Sequence, residues 1–255
     1  MRILVVGRGF LGRAFERKGI LTWGRKEFQP EVNIKRVDEF DVVVNCIGKS
    51  DTRWCETNFM EAFYSNAIIP KGLSAYCNKN NIRFVHVSTG CLYDKVGIEN
   101  KETDFLSAHC NYTVTKWSGE NFCNSNDLII RPRLLFGTEK SDKNLICKLP
   151  KFDKFLTEVN SYTSVDVIVD AVLALIEAGQ KGIFNVACDG TATVKELAGW
   201  IGVHGEDITA EELVKRENLY LVNNVMCLNK LKNFYEPPKL HDEVMRCYES
   251  ICKED

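Results

Sequence analysis

The stretch Ile3-Leu4-Val5-Val6-Gly7-Arg8-Gly9-Phe10-Leu11-Gly12 decides the fold. Four aliphatic residues without a polar break read as a strand buried on both faces, and the glycines that follow open a helix predicted over Phe10 to Lys18. Glycines allow a tight turn and close backbone approach, while the helix start aims its amides at a pyrophosphate. Gly7, Gly9, Phe10, Leu11 and Gly12 are therefore candidate dinucleotide-binding residues. The apolar run is too short for a signal peptide.

Working outward, strand and helix patterns alternate. Strands are expected at Ile20 to Trp23, Asp41 to Cys46, Ile82 to Ser88, Leu128 to Arg131 and Gly182 to Val186. Helices are expected over Glu56 to Asn78, kinked at Pro70, and over Tyr112 to Cys123, Val165 to Ala178, Val194 to Ile201 and from about Leu240. About fifteen residues separate Arg25 from Asp41, too few for a crossover with a helix and an extra strand. The fold class is α/β: a trimmed, Rossmann-like doubly wound parallel sheet with a small C-terminal substrate-binding lobe. The dinucleotide-binding core is placed at 1–137 and the lobe at 138–255, with segments near 160–187 returning to the core.

Composition narrows the function classes. A hydrophobic fraction of 45% and a net charge of -2 suit an ordinary globular enzyme and give no basic surface for nucleic acid. No stretch approaches the roughly 20 apolar residues of a membrane span. The eleven cysteines lack metal-type spacing and suit reduced thiols in the cytoplasm. No metal site is expected.

Cofactor choice is decided after the second strand, where Gly24-Arg25-Lys26 presents a cation and no carboxylate precedes Glu27. Arg25 suits a 2′-phosphate, so NADPH is expected over NADH. Downstream, Tyr112-x-x-x-Lys116 sets a phenol and an ammonium one helical turn apart, the spacing of a carbonyl reductase's proton donor and its partner. Lys116 is expected to lower the phenol's pKa and hold the nicotinamide ribose. Thr89 would bond the substrate carbonyl, and Pro132 would lie at the nicotinamide end. Cys91, next to Thr89 in the pattern Ser88-Thr89-Gly90-Cys91, adds an acid/base group that reduction alone does not need.

These residues carry a resemblance. The layout resembles the extended short-chain dehydrogenase/reductases of nucleotide-sugar metabolism. Within them, Asn45-Cys46-Ile47-Gly48, Asp51-Thr52-Arg53-Trp54-Cys55-Glu56, Asn66, Thr89-Gly90-Cys91, Asn144-Leu145-Ile146-Cys147-Lys148 and Asn223-Asn224 are similar to the bifunctional 3,5-epimerase/4-reductases of UDP-rhamnose synthesis in plants and large DNA viruses. The resemblance implies conversion of UDP-4-keto-6-deoxy-D-glucose to UDP-L-rhamnose with NADPH, in the cytoplasm, or the host cytoplasm for a viral chain. It implies Cys91 and Lys148 as the epimerising pair, Asn45 and Cys46 at the cofactor, and Arg53, Trp54, Asn66, Asn144 and Asn224 at the substrate. It also implies a homodimer formed by packing the two long helices. A 4-reductase of the dTDP-rhamnose or GDP-fucose synthase kind, or a non-catalytic NADPH sensor, keeps part of the same pattern. UDP, dTDP and GDP remain open as the nucleotide.

Overall fold

Ile3–Val6 forms strand β1, with Leu4, Val5 and Val6 fully buried as its unbroken aliphatic run requires. It pairs in parallel with β2 (Leu21–Trp23) on one side and β3 (Val42–Asn45) on the other. Beyond β3 lie β4 (Arg83–Val87) and the strands Leu128–Pro132 and Gly182–Val186, completing a six-stranded sheet. The expected parallel α/β sheet is thus present. The chain leaves β1 for β2 and then crosses to β3 on the opposite side, so the strand order reverses at β1. Such a reversal opens a crevice at the carboxyl ends of the strands.

The computed structural model describes residues 1–94, 97–217 and 223–253. They group into two units: Met1–Leu92, Ser107–Arg131 and Leu175–Phe184, and Tyr93–Leu106, Pro132–Ala174 and Asn185–Asp255. In the first unit, α1 (Phe10–Arg17) buries Phe10, Leu11, Ala14 and Phe15. Between β2 and β3 there is room only for α2 (Pro30–Asn33) and a 3-10 helix at Ile34–Glu39.

The single helix expected over Glu56 to Asn78 is instead broken. It consists of α3 (Thr52–Thr57), α4 (Phe59–Phe63), a π-helical segment at Tyr64–Ile68 and α5 (Ile69–Lys79). Asp51 caps α3 by accepting from the Trp54 N–H at 2.9 Å, and Asn58 leaves helical geometry between α3 and α4. The π segment has a local cause. Pro70 has no N–H for the Asn66 carbonyl four residues earlier, and the helix widens there, with Ile69 N donating to Tyr64 O.

Helix α6 (Asn111–Asn121) lies against this π segment. Gly119 makes the approach possible: a Cβ on it would stand 2.1 Å from the Asn66 carbonyl oxygen. The Arg131 guanidinium pairs with Glu120 of α6 at 2.5 Å, with side chains 1% and 4% exposed, which anchors the helix to the sheet.

The second unit has short strand pairs: Leu135–Phe136 with Thr163–Ser164, Val159–Asn160 with Ala192–Thr193, Lys154–Leu156 with Glu206–Ile208, and Glu99–Asn100 with Val225–Met226. The helices α7 (Leu145–Lys148), α8 (Val165–Glu177), α9 (Val194–Trp200), α10 (Ala210–Glu217) and α11 (Leu240–Cys252) complete the described chain. Thr193 and Glu196 form a capping box that starts α9. Buried Asn185 accepts from the Tyr93 hydroxyl at 2.7 Å and donates to the Asn100 and Cys227 carbonyls. Among the described residues, no helix is long and apolar enough to cross a membrane, and no cluster of three or more His, Cys, Asp or Glu side chains could hold a metal ion. All eleven cysteines are free thiols.

Candidate active site

At the crevice, Gly7 has φ of +106°, and a Cβ on it would lie 2.6 Å from the Cys46 carbonyl carbon. A Cβ on Gly12 would lie 2.0 Å from the Gly7 oxygen. Gly9 is different: nothing lies within 4 Å of its Cβ position, and as N-cap of α1 it supplies no capping side chain. A backbone cradle with open space over the first amides of an eight-residue helix suits a pyrophosphate. Arg8 is turned away from that role and forks onto Glu16. Asn45 and Cys46 shape the crevice wall. The Asn45 amide oxygen accepts from Ile47 N at 3.0 Å, and its nitrogen lies 3.1 Å from His86 Nδ1. Burial pushes the Cys46 thiol up to about 12, so it stays protonated.

The end of β2 departs from expectation. The Glu27 side chain folds back and accepts from the Gly24 N–H at 2.9 Å, while Phe28 N and Glu27 N close the turn on the Gly24 carbonyl. A carboxylate therefore sits where the sequence order alone places none. Arg25 is exposed and lines a cleft of about 490 Å³ with Lys49, Trp54, Met60 and Tyr64.

Thr89, Cys91, Tyr112 and Lys116 come together at the end of β4. The Tyr112 phenol stands beside the Thr89 hydroxyl, which favours its ionised form. Thr89 Oγ1 also accepts from the Cys91 N–H at 3.2 Å. The Tyr112 ring packs with Cys55 and Ala62, with Trp54, Cys91 and Cys110 around them. One turn along α6, Lys116 donates to the Val87 carbonyl at 2.8 Å. Burial first, and the Cys91 thiol second, raise the Tyr112 pKa, with the Thr89 hydroxyl opposing them. This reverses the expected depression by Lys116, whose ammonium bonds a backbone carbonyl. Tyr112 therefore holds its proton at neutral pH, as a proton donor must.

Burial brings Lys116 down to about 8, with Glu120 acting in the opposite direction. Since kcat/KM reports groups on the free enzyme, reduction is expected to fall about tenfold per pH unit above about 8, as the ammonium is lost. Lys116→Arg should move that limb beyond pH 10. A wild-type profile flat to pH 10 would remove Lys116 from the reaction.

The remaining candidates divide by position. In the first unit Arg53 is exposed on α3, and Trp54 is half-buried beside the cleft. Asn66 was expected at the substrate but is fully buried: it accepts from Lys49 N and donates to the Lys49 carbonyl and to Thr115 Oγ1. Asn144 and Asn224, in the second unit, are likewise fully buried. Asn144 caps α7, which ends at half-buried Lys148, and donates to the Gly137 and Glu139 carbonyls. Asn224 donates its backbone N–H to Asn160 at 3.2 Å. Asn66 and Asn144 thus spend their side-chain amides on neighbouring main chain and, for Asn66, on Thr115. Pro132 closes the strand Leu128–Pro132. Sequence reasoning missed His86. Burial and Lys116 hold the His86 pKa well below its usual value, so its ring is neutral and serves the β3–β4 pairing through Asn45.

Glycine turn and strand-order reversal define a Rossmann-type α/β fold, with Thr89, Tyr112 and Lys116 grouped at the end of β4. The chain belongs to the RmlD substrate binding domain family, whose model matches residues 1–211. It is 23% identical to the uncharacterized protein L780 of Acanthamoeba polyphaga mimivirus, over 69% of this chain and 66% of that one. The crystal structure of L780, described as a UDP-rhamnose synthase, superposes with a TM-score of 0.85 at 19% identity, covering 97% of this chain and 99% of that one. Arabidopsis thaliana RHM2, a trifunctional UDP-glucose 4,6-dehydratase/UDP-4-keto-6-deoxy-D-glucose 3,5-epimerase/UDP-4-keto-L-rhamnose-reductase, is 23% identical over 96% of this chain but only 41% of its own length. This chain thus spans about two fifths of the length of RHM2. A dTDP-4-dehydrorhamnose reductase from Bacillus anthracis, solved with NADP, superposes with a TM-score of 0.83 at 16% identity, covering 97% of both chains.

Proposed function

We propose that this chain is an NADPH-dependent reductase of a nucleotide 4-keto-6-deoxysugar that also epimerises C3 and C5, turning UDP-4-keto-6-deoxy-D-glucose into UDP-L-rhamnose. The observation that carries the reading is the grouping of Tyr112 with Cys91 packed against it, beside Thr89. The family match and the NADP-bound Bacillus anthracis reductase support the reductase half. The likeness to RHM2 and to L780 supports the epimerase half and UDP.

When bound, NADPH supplies hydride to C4 of the sugar. The open amides after Gly9 take the diphosphate, and the Thr89 hydroxyl and Tyr112 phenol bond O4. Tyr112 transfers its proton to O4 as the alcohol forms, then regains one from solvent. Epimerisation uses the same carbonyl earlier. Removing H3 or H5 leaves an electron pair that delocalises into C4=O, and the enolate oxygen rests on Thr89 and Tyr112. Two acid/base groups are needed, one to take each proton and the other to return one to the opposite face, and Cys91 is one of them; the resemblance implies Lys148 as the other.

Incubation with UDP-4-keto-6-deoxyglucose in D2O tests the two halves separately. Without NADPH, deuterium should enter C3 and C5, and Cys91→Ala should slow that entry by about 10²-fold. Adding NADPH should yield UDP-rhamnose. Oxidation of NADPH with no deuterium at either carbon would leave the second reading, a 4-reductase alone, which the family match favours equally.

A further inference from the structure

We infer that Cys55 and Cys110 form a peroxide-responsive thiol pair beside Tyr112, a modification site whose oxidation to a disulfide slows reduction. The effect on turnover rests on reading Tyr112 as the proton donor; formation of the bond does not. Both cysteines lie in the first unit, Cys55 on α3 and Cys110 at the N-cap of α6.

Two hydrogen bonds bring these stretches of chain together. The Asn111 N–H donates to the Glu56 carboxylate at 2.8 Å, and the Asn111 side chain donates to the Glu56 carbonyl at 3.3 Å. The residues just before them, Cys110 and Cys55, meet in one apolar cluster with Tyr112 and Ala62. Cys110 also acts on Cys55 electrostatically: burial first, then Asp51, then Cys110 push the Cys55 thiol up to about 11. Cys91 borders the cluster from the end of β4, with its N–H on the Thr89 hydroxyl.

Stability does not account for a thiol at position 110. An N-cap is best filled by Ser, Thr, Asp or Asn, whose oxygen accepts from the first amides of the helix. Here the Cys110 sulfur, a weak acceptor, stands 3.4 Å from the Thr113 hydroxyl, and Thr113 Oγ1 accepts from the Cys110 N–H at 3.1 Å. Cys55 is fully buried and Cys110 half-buried, so Cys110 meets the oxidant first. Its sulfur attacks one oxygen of hydrogen peroxide; the O–O bond breaks, the thiol proton leaves with the other oxygen as water, and a sulfenic acid remains. The Cys55 sulfur then displaces the sulfenic hydroxyl, which leaves with the Cys55 proton as a second water while the S–S bond forms. Peroxide is reduced and the two thiols are oxidised. Drawing the sulfurs to bonding distance moves Cys110 away from Thr113 and shifts the first turn of α6, which carries Tyr112.

Treating the full chain with hydrogen peroxide, blocking the remaining thiols with iodoacetamide and mapping peptides by mass spectrometry tests the bond. The expected product is a linked Cys55–Cys110 peptide lighter by two hydrogens, lost in Cys110→Ser and opened by dithiothreitol. The same treatment should slow NADPH oxidation with UDP-4-keto-6-deoxyglucose by about 10²-fold, the cost of displacing a catalytic group by about 1 Å, and dithiothreitol should restore the rate. Cys110→Ser, which caps α6 with an oxygen, should keep its rate under peroxide. Equal loss in Cys110→Ser, a link from Cys91 to either thiol, a linked chain of unchanged rate, or no link at all overturns the inference. A Cys55–Cys110 link in a chain that oxidises no NADPH even before treatment would leave the thiol pair standing and overturn the reading of Tyr112 instead.

Discussion

Replacing Tyr112 with phenylalanine is expected to slow reduction of the 4-keto sugar by about 10³-fold. The phenol is the side-chain acid beside Thr89, and burial keeps its proton in place until O4 develops charge. Phenylalanine keeps the ring that packs on Cys55 and Ala62, so the variant should fold and still bind adenosine 2′,5′-bisphosphate. The loss then belongs to proton transfer. Single-turnover loss of NADPH absorbance with UDP-4-keto-6-deoxyglucose makes the measurement. A variant rate within tenfold of wild type would show that another group protonates O4.

Gly119→Ala should be the most damaging small substitution in the fold. Its methyl would enter at 2.1 Å from the Asn66 carbonyl oxygen, with His86 Nε2 3.5 Å away. The obstacle is backbone, so relief requires α6 and the π segment to separate. The expected cost is about 3 kcal/mol or more, lowering Tm by roughly 10 °C in a chain of this size. Gly72→Ala in α5 provides the contrast: nothing lies within 4 Å of that Cβ position, and helix propensity should stabilise the chain by about 0.5 kcal/mol. Equal melting temperatures for Gly119→Ala and wild type would refute the close approach.

The main sheet was legible because its strands are continuous aliphatic runs. Val42–Asn45, Arg83–Val87, Leu128–Pro132 and Gly182–Val186 fall within a residue or so of the patterns that announce them. Two-residue pairs such as Ala192–Thr193 with Val159–Asn160 are too short to show any period. The break at Asn58 and the π segment were hidden because apolar spacing continues through both, and only Asp51 as a cap and Pro70 mark the joints.

At the site, the Tyr112-to-Lys116 spacing and the glycine turn could be read directly, since both depend on local geometry. The Glu27 carboxylate at Gly24 depends on a side chain turning back along the chain, and Lys49 reaches the Arg25 cleft from a different strand end. Sequence order does not carry either relation. The same limit applies to the buried amides of Asn66 and Asn144, which read as open polar contacts until their carbonyl partners are known.

Asn66 has a bearing on how this chain can change over generations. Its amide joins the loop at Lys49 to Thr115, next to Lys116, yet at position 49 it bonds only main-chain atoms. An alteration at 66 or 115 must find its complement before the reaction survives it. The side chain at 49 is under no such tie. Position 49 can therefore change its side chain while the helix bearing Tyr112 is inherited intact.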